Sequence, residues 1–128
     1  MIVSYFMLGC PGDTEETIKQ TIEFAKELDA NFAQFSICTP FPGTEIANFI
    51  NQDIDWNKFT YVSNRSEMIP FVLSEHLTRE QLKKWYNRAY KEFYLRPQYL
   101  LKTIKRIRSI DDIKVNFNGI KMLLNILK

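Results

Sequence analysis

The stretch Ile2-Val-Ser-Tyr-Phe-Met-Leu-Gly-Cys-Pro-Gly-Asp-Thr14 decides the fold of this 128-residue chain. Its first seven residues form an apolar run that ends at a Gly/Pro turn, a pattern typical of a fully buried strand in a parallel sheet. The run lacks the positively charged start and the small-residue cleavage site of a signal peptide. The sequence therefore predicts a strand over residues 2–8.

A helix and a second strand are predicted next. Asp13 or Thr14 begins the helix, which has one apolar face. Residues 32–38 then alternate apolar and polar side chains, with Gln34 and Ser36 on the polar face. Strand, helix and strand predict a βαβ unit with parallel strands and a right-handed crossover. The apolar face of the helix consists of Ile18, Ile22, Ala25 and Leu28.

Two parallel strands cannot enclose a core by themselves, because each strand has two faces to cover and each pair leaves two edges without a partner. The unit is therefore predicted to belong to a larger sheet. In isolation, we expect the chain to expose an apolar patch and to self-associate through its strand edges.

The remainder of the chain is predicted to be mainly helical. A short helix is predicted over residues 44–50, and the apolar residues of 53–77 follow neither a helical nor a strand periodicity. Thr78-Arg-Glu-Gln81 is a capping box, Pro97 suits the first position of a helix, and residues 109–112 start a third helix. The predicted buried faces are Leu82, Trp85, Tyr86, Ala89, Tyr90, Phe93 and Tyr94, then Leu100, Leu101, Ile104 and Ile107, then Ile113, Phe117, Ile120, Leu124 and Leu127.

Composition and charge exclude several classes of protein. Hydrophobic residues make up 45% and aromatic residues 14% of the chain, as in a globular protein. No apolar run is long enough to span a membrane. Two cysteines indicate no disulfide framework, which favours a reducing cytoplasm. The net charge of +2 conceals a balance of −6 over residues 1–64 and +8 over 65–128, which predicts attraction between the halves.

Two loops follow the carboxyl ends of the predicted strands, where α/β proteins bind ligands. The loop over residues 9–14 has glycines and precedes a helix N-terminus, which suits a ligand. Its pattern is neither a Walker loop nor GxGxxG, and we weigh a tight structural turn more heavily. Residues 40–44, Pro-Phe-Pro-Gly-Thr, form either a pocket wall or a chain reversal.

Other chemically capable residues have plainer interpretations. Cys10 and Cys38 are too few for a metal site, and we interpret both as buried packing residues. His76 lacks a sequence partner that would make it a base, and we interpret it as a surface histidine. Basic side chains over residues 91–108 lie near tyrosines, as in some nucleic-acid-binding proteins. We favour the solvated face of an amphipathic helix.

Three segments of the sequence, residues 7–17, 40–45 and 89–97, resemble the end of a radical SAM barrel. Residues 7–17 are similar to the G-L-P-G-E-T turn that follows the family's fifth strand, and residues 40–45 to the P-x-P-G-T loop that follows the sixth. Ala89-Tyr-Lys-Glu-Phe-Tyr-Leu-Arg-Pro97 is similar to a segment of members with an amino-terminal cobalamin-binding domain, often named after magnesium-protoporphyrin monomethyl ester oxidative cyclase.

The resemblance implies a fold of α/β and then all-α class. The last two strands of a partial (β/α)6 TIM-like barrel occupy residues 1–52, an irregular connection occupies 53–77, and an extension of about three helices occupies 78–128.

The resemblance also implies cofactors for a longer parent enzyme. A C-x-x-x-C-x-x-C loop holds a [4Fe–4S] cluster, the cluster binds S-adenosylmethionine and cleaves it to a 5′-deoxyadenosyl radical, and this subclass adds cobalamin. This sequence contains no such loop, so we expect no cofactor, catalytic residue or metal ligand in this chain alone. The expected partner is the missing amino-terminal barrel half or a second copy; a membrane or a nucleic acid is not expected.

Five residues are predicted to bind a cofactor, and the resemblance assigns Met7 and Gly9 among them. Met7 stands where an aliphatic side chain touches the adenine, and Gly9 matches the second glycine of the family's fifth-strand pattern. Gly12 lies in the turn behind it. Gln34 and Ser36 are predicted to face the barrel interior.

The predicted function is the carboxyl-terminal part of a cobalamin-type radical SAM enzyme, inactive alone. The alternative is a non-catalytic interaction or nucleic-acid-binding module that uses the basic helices.

Overall fold

The computed structural model describes residues 2–41, 43–49 and 72–106. The predicted third helix and most of the irregular connection lie outside these ranges. The elements in chain order are β1 (Val3–Leu8), α1 (Glu15–Glu27), β2 (Phe32–Ile37), a short 3-10 helix (Glu45–Phe49), α2 (Arg79–Tyr94) and α3 (Pro97–Arg106).

The two strands form a parallel sheet, as predicted. Val3 pairs with Phe32 and the register continues to Leu8 beside Ile37, with α1 as the crossover between the strands. The described residues contain this two-stranded sheet and the helices around it. The prediction of an α/β unit followed by helices is confirmed to that extent, and the barrel stays a prediction.

Local capping explains where α1 begins. The Thr14 hydroxyl accepts a hydrogen bond from the N–H of Thr17, and the Thr17 hydroxyl accepts one from the N–H of Thr14. Of the predicted apolar face, Ile18, Ile22 and Ala25 are buried. The prediction for Leu28 is wrong, since this residue is exposed at the helix end, where the chain turns away through Asp29 at φ +46°.

Helix α2 supplies most of the core. Its capping box is formed as predicted, with Thr78 and Gln81 exchanging side-chain-to-backbone hydrogen bonds. The apolar stripe is also confirmed, because six of its seven members are buried and Tyr94 is half-buried. The stripe packs against β2 and α1, where Phe35 contacts the rings of Tyr90 and Phe93 edge-on.

Within the described ranges, α1 and α2 cover one face of the sheet and leave side chains of the other face exposed, and we call this second face the bare face. Leu8, Ala33 and Phe35 point toward α1 and α2 and are buried. On the opposite face, three side chains of β1 are exposed. The prediction that residues 2–8 form a fully buried strand is therefore wrong, because both helices dock on the same face. The exposed side chains are Val3 at 39%, Tyr5 at 71% and Met7 at 55%.

Helix α3 begins at Pro97 as predicted, but its buried side is different. Tyr99 is the buried residue; its hydroxyl donates to the carbonyl oxygen of Asn31, and its ring contacts that of Phe93. This anchoring turns the predicted apolar face outward. Leu100, Leu101 and Ile104 are exposed, and Ile107 lies outside the described residues.

The attraction predicted between the acidic and basic halves takes a specific form at the end of α1. The Asp29 carboxylate pairs with Arg96 at 3.1 Å and with Lys102 at 2.6 Å. These two cations hold the pKa of Asp29 below its usual value, with the Lys102 hydrogen bond as the main cause. The ion pairs join α3 to the turn that leads into β2.

Within the described ranges, no helix combines the length and the apolar character that a bilayer crossing requires.

Candidate functional site

The bare face of the sheet is the candidate site. It consists of the outward side chains of both strands, which alternate with the buried ones. Met7 stands beside Ser36, and Tyr5 stands beside Gln34 in the next row. Three side chains predicted to bind a cofactor, those of Met7, Gln34 and Ser36, thus share one exposed surface. Their role in binding stays a prediction. The full set is Val3, Tyr5 and Met7 of β1 with Phe32, Gln34 and Ser36 of β2.

The chemistry of this face is neutral. An amide, two hydroxyls and a thioether stand among apolar side chains, and none of the six residues is ionisable near pH 7. Such groups hold and orient an uncharged or aromatic part of a ligand. None of them is a general base near neutral pH.

The loop between β1 and α1 is closed by the chain's own carboxylates. Asp13 accepts hydrogen bonds from the N–H of Cys10 at 2.9 Å and from the Thr17 hydroxyl at 3.0 Å. Glu75 accepts one from the N–H of Gly12 at 3.2 Å, and backbone N–H groups lower its pKa. Two amides that a ligand would use are thus already bound, which favours the tight structural turn.

Glycine is favoured at two positions of this loop, 9 and 12, for different structural reasons. A Cβ at Gly9 would come within 2.7 and 2.9 Å of the methyl carbons of Leu82, which is fully buried. Gly12 has open space around it, and what favours glycine there is a φ of +83°. The group that comes close to Gly9 in this structure is therefore the Leu82 side chain of α2. The cofactor-binding roles of both glycines stay predictions.

The two cysteines meet at the carboxyl ends of the strands. Burial and the adjacent Cys38 thiol, with a smaller effect of Asp13, raise the pKa of Cys10 to about 12. A thiol with such a pKa is protonated at pH 7, and metals bind the thiolate. Cys38 is buried and Cys10 half-buried. Across the described ranges, His, Cys, Asp and Glu form no group of three that would hold a metal. These residues do not fit an iron–sulfur cluster.

Sequence reasoning missed two tyrosines whose hydroxyls bond to the sheet. Tyr90 bonds both the N–H and the carbonyl of Phe35, and Tyr94 does the same for Ala33. The available signal was their i, i+4 spacing on the face of α2 that also carries the buried apolar residues. We interpreted that face as packing alone.

The basic residues proposed for nucleic acid are partly used inside the molecule. Arg96 donates to the carbonyl oxygen of Lys26 and to Asp29, while its guanidinium lies over the ring of Phe93. Lys102 also bonds to Asp29. His76 is exposed at 3.4 Å from Glu75, in agreement with a surface histidine.

Comparison with known proteins gives relatives but no family model, and no solved structure matches. An uncharacterized methyltransferase of Pyrococcus horikoshii is 41% identical over 104 residues, which cover 77% of this chain and 21% of that protein. The anaerobic magnesium-protoporphyrin IX monomethyl ester cyclase of Cereibacter sphaeroides is 26% identical over 94 residues, covering 71% and 14%. The bacteriochlorophyllide d C-12(1)-methyltransferase of Chlorobaculum tepidum is 33% identical over 61 residues, covering 45% and 13%.

This chain therefore spans about a fifth or less of the length of these relatives. The match to the cyclase agrees with the family resemblance stated from the sequence. The chain is similar to one part of methyltransferases and enzymes of the radical SAM family.

Proposed function

We propose that this chain supplies the last two strands and the following helices of a radical SAM barrel of the cobalamin-binding type. Its bare sheet face forms one wall of the pocket for S-adenosylmethionine. The cluster and the remaining strands come from a separate part of the enzyme, so this chain performs no catalysis alone.

The observation that carries the proposal is the difference between the two faces of the sheet. One face is sealed by α1 and α2, as the outside of an α/β barrel is covered by its helices. The other carries Met7, Gln34 and Ser36 and is open. A barrel interior is lined by such inward side chains, and three of the five residues predicted to bind a cofactor lie on this face.

The part played by each residue follows from its chemistry. Met7 offers a flexible thioether that packs against an aromatic ring such as adenine. Gln34 has an amide that donates and accepts, and Ser36 has a hydroxyl that does the same; both suit the polar edges of a nucleoside. These contacts would bind and orient S-adenosylmethionine, and a cluster held elsewhere in the enzyme would supply the radical chemistry.

A chimera provides the test in a complete protein. The matching segment of the Pyrococcus horikoshii methyltransferase is replaced by this chain, which is 41% identical to it over 104 residues. We expect the chimera to bind S-adenosylmethionine in equilibrium dialysis and to release 5′-deoxyadenosine under a low-potential reductant. Met7→Lys should weaken that binding at least about tenfold, because it places a charge against the adenine wall of the pocket.

The matched control is Phe24→Lys. Phe24 is exposed on α1, away from the bare face, so the same new charge should leave S-adenosylmethionine binding unchanged. A folded chimera that binds no S-adenosylmethionine contradicts the proposal. Equal affinities for the Met7→Lys and unsubstituted chimeras contradict the assignment of the bare face as a pocket wall.

A further inference from the structure

The two edges of the sheet are treated differently by the rest of the molecule. On β2, the backbone groups of Ala33 and Phe35 point away from β1, and the hydroxyls of Tyr94 and Tyr90 satisfy them at 2.8–3.2 Å. The Thr39 hydroxyl donates to the next outward carbonyl, that of Ile37. Side chains thus occupy the places that another strand would take, and this edge is closed to strand addition.

The outer edge of β1 is open. Phe32 and Cys38 of the β2 segment donate to the carbonyls of Ile2 and Leu8, so the even-numbered residues of β1 face β2. The odd-numbered residues, Val3, Tyr5 and Met7, therefore direct their N–H and C=O groups outward. Among the described residues, no further strand pairs with them.

Strand β1 lacks the usual protection of an edge. Its sequence, Val-Ser-Tyr-Phe-Met-Leu, has no proline and no charged residue, the features with which natural sheets discourage pairing. Valine, tyrosine and phenylalanine also favour extended structure. The contrast with the closed edge of β2 identifies β1 as the edge that accepts a partner.

We propose that the occupant of this edge is a second copy of the same chain, whose β1 pairs antiparallel with β1 about a two-fold axis at Tyr5. In this register Tyr5 stands opposite Tyr5, and Val3 stands opposite Met7 of the second copy. The N–H and the C=O of each outward residue then form hydrogen bonds with the residue opposite it in the second copy, which gives about six interchain hydrogen bonds. Registers centred one residue away pair fewer outward groups.

The side chains and the charges favour the same occupant. On the bare face the pairing brings a tyrosine against a tyrosine and a valine against a methionine, both favourable cross-strand pairs. No ionisable group of β1 repels its own copy across the axis. An isologous interface of this kind needs one self-complementary patch, and β1 supplies it. The inference concerns the chain by itself, because in the enzyme of the proposed function the remaining barrel strands occupy this same edge.

Sedimentation velocity on the isolated chain, over a concentration series into the tens of micromolar, tests the dimer. The unsubstituted chain should form a concentration-dependent dimer. Tyr5→Lys places two ammonium groups face to face on the axis and should return a monomer with unchanged far-ultraviolet circular dichroism. Gln34→Lys is the matched control: it adds the same charge to the same face, beside Tyr5 but on β2, and should leave the dimer in place.

Cysteine cross-linking tests the register without relying on the Lys variants. Tyr5→Cys should form an interchain disulfide on mild oxidation, because opposite residues in such a pair are close enough for one. Val3→Cys should not, because two copies of position 3 are then separated by about 14 Å along the strands. The unsubstituted chain, with Cys10 and Cys38, is the background.

Three results overturn the inference. The first is a chain that remains a monomer over the whole concentration series. The second is a dimer that persists in the Tyr5→Lys variant, because the contact is then elsewhere, for example on the exposed face of α3. Cross-linking through Val3→Cys that matches that through Tyr5→Cys indicates parallel or shifted strands, and excludes the proposed register.

Discussion

The half-buried thiol of Cys10 has an environment that suppresses its reactivity. Its neighbours are Cys38 at the end of the adjacent strand and the Asp13 carboxylate, which also accepts the N–H of Cys10. Both a second thiol and a carboxylate disfavour a negative charge on sulfur. The interpretation of both cysteines as buried packing residues is confirmed for Cys38, whereas Cys10 is half-buried.

We predict slow alkylation of Cys10 in the folded chain. Burial, Cys38 and Asp13 raise its pKa from 9.0 to about 12, so the reactive thiolate is much rarer at pH 8 than for an ordinary cysteine. The rate of reaction with iodoacetamide, followed by mass spectrometry, should fall accordingly. Cys38→Ala should raise the rate. Alkylation as fast as that of a free cysteine peptide contradicts the prediction.

Gly9 and Gly12 provide a second test at the residue scale, because they share a positive φ and differ in their surroundings. Gly12→Ala should cost only the backbone strain, about 1–2 kcal/mol of unfolding free energy. Gly9→Ala should cost more, because the new Cβ also collides with Leu82. Urea unfolding of both variants measures the difference.

A double-mutant cycle identifies the cause of that difference. Leu82→Ala is destabilising by itself, as a buried leucine should be, but it removes the atoms that the new Cβ would meet. Gly9→Ala should therefore cost less in the Leu82→Ala background. Equal costs of Gly9→Ala in both backgrounds would show that Leu82 is not the reason for glycine at this position.

At the scale of elements, α2 has two roles in relation to the sheet. Its apolar residues cover one face, and its tyrosines complete the outer edge of β2. The hydroxyl of Tyr94 remains protonated, because burial raises its pKa to about 12, and it both donates to and accepts from Ala33. A helix thereby substitutes for a strand at the last position of the sheet.

We predict that removing either hydroxyl exposes this role. Tyr90→Phe leaves the buried N–H and C=O of Phe35 without their partner and should cost about 1–3 kcal/mol of unfolding free energy. Tyr94→Phe should act in the same direction at Ala33. In these variants the rate of amide hydrogen exchange at Phe35 and Ala33 should rise, and the urea midpoint of unfolding should fall.

Tyr5→Phe is the control for hydroxyl removal. Tyr5 lies on the bare face and is largely exposed, so its substitution should change the unfolding free energy by less than about 0.5 kcal/mol. If Tyr90→Phe behaves like Tyr5→Phe, the edge of β2 does not depend on the hydroxyl.

At the scale of the whole molecule, ion pairs connect the βαβ unit to the helices that follow it. Glu92 of α2 bonds Lys26 of α1 at 3.0 Å and also Arg88 of its own helix. Burial opposes the charge of Glu92, but the bonds to Arg88 and Lys26 outweigh it and lower the pKa below the usual value of 4.5. Asp29, just beyond the same end of α1, pairs with Arg96 and with Lys102 of α3.

This arrangement predicts an acid-sensitive connection. Because the pKa of Glu92 is lower in the folded chain than in the unfolded one, its stabilising effect is present above pH 4.5 and is lost as the pH falls below that value. The urea midpoint of the unsubstituted chain should therefore fall between pH 6 and pH 3. Glu92→Gln should have a lower midpoint at pH 6 and a shallower dependence.

Glu80→Gln serves as the control, since it removes an exposed carboxylate from the same helix. Its pH dependence should follow that of the unsubstituted chain. A Glu92→Gln variant with the full acid dependence would show that the connection between α1 and α2 does not rely on this ion pair.

The sequence by itself determined where the elements begin and what kind they are. Caps and turns are contacts between residues a few positions apart, so Thr14, Thr78 and Pro97 predict helix starts without knowledge of the rest of the chain. The alternation in residues 32–38 likewise separates Phe35 from Gln34. The family resemblance of the loops and of residues 89–97 is also a property of local sequence, and methyltransferases and radical SAM enzymes are among the relatives.

Only the tertiary structure decided which faces are covered. The apolar run of β1 has side chains on both faces that could be buried. Only the face on which α1 and α2 dock is buried. Tyr99 turned α3 so that its leucines lie outside, although the periodicity of that helix predicted them inside. The closure of β2 by Tyr90 and Tyr94 joins positions more than fifty residues apart. Such choices depend on the relative free energies of whole packing arrangements, and no local pattern encodes them.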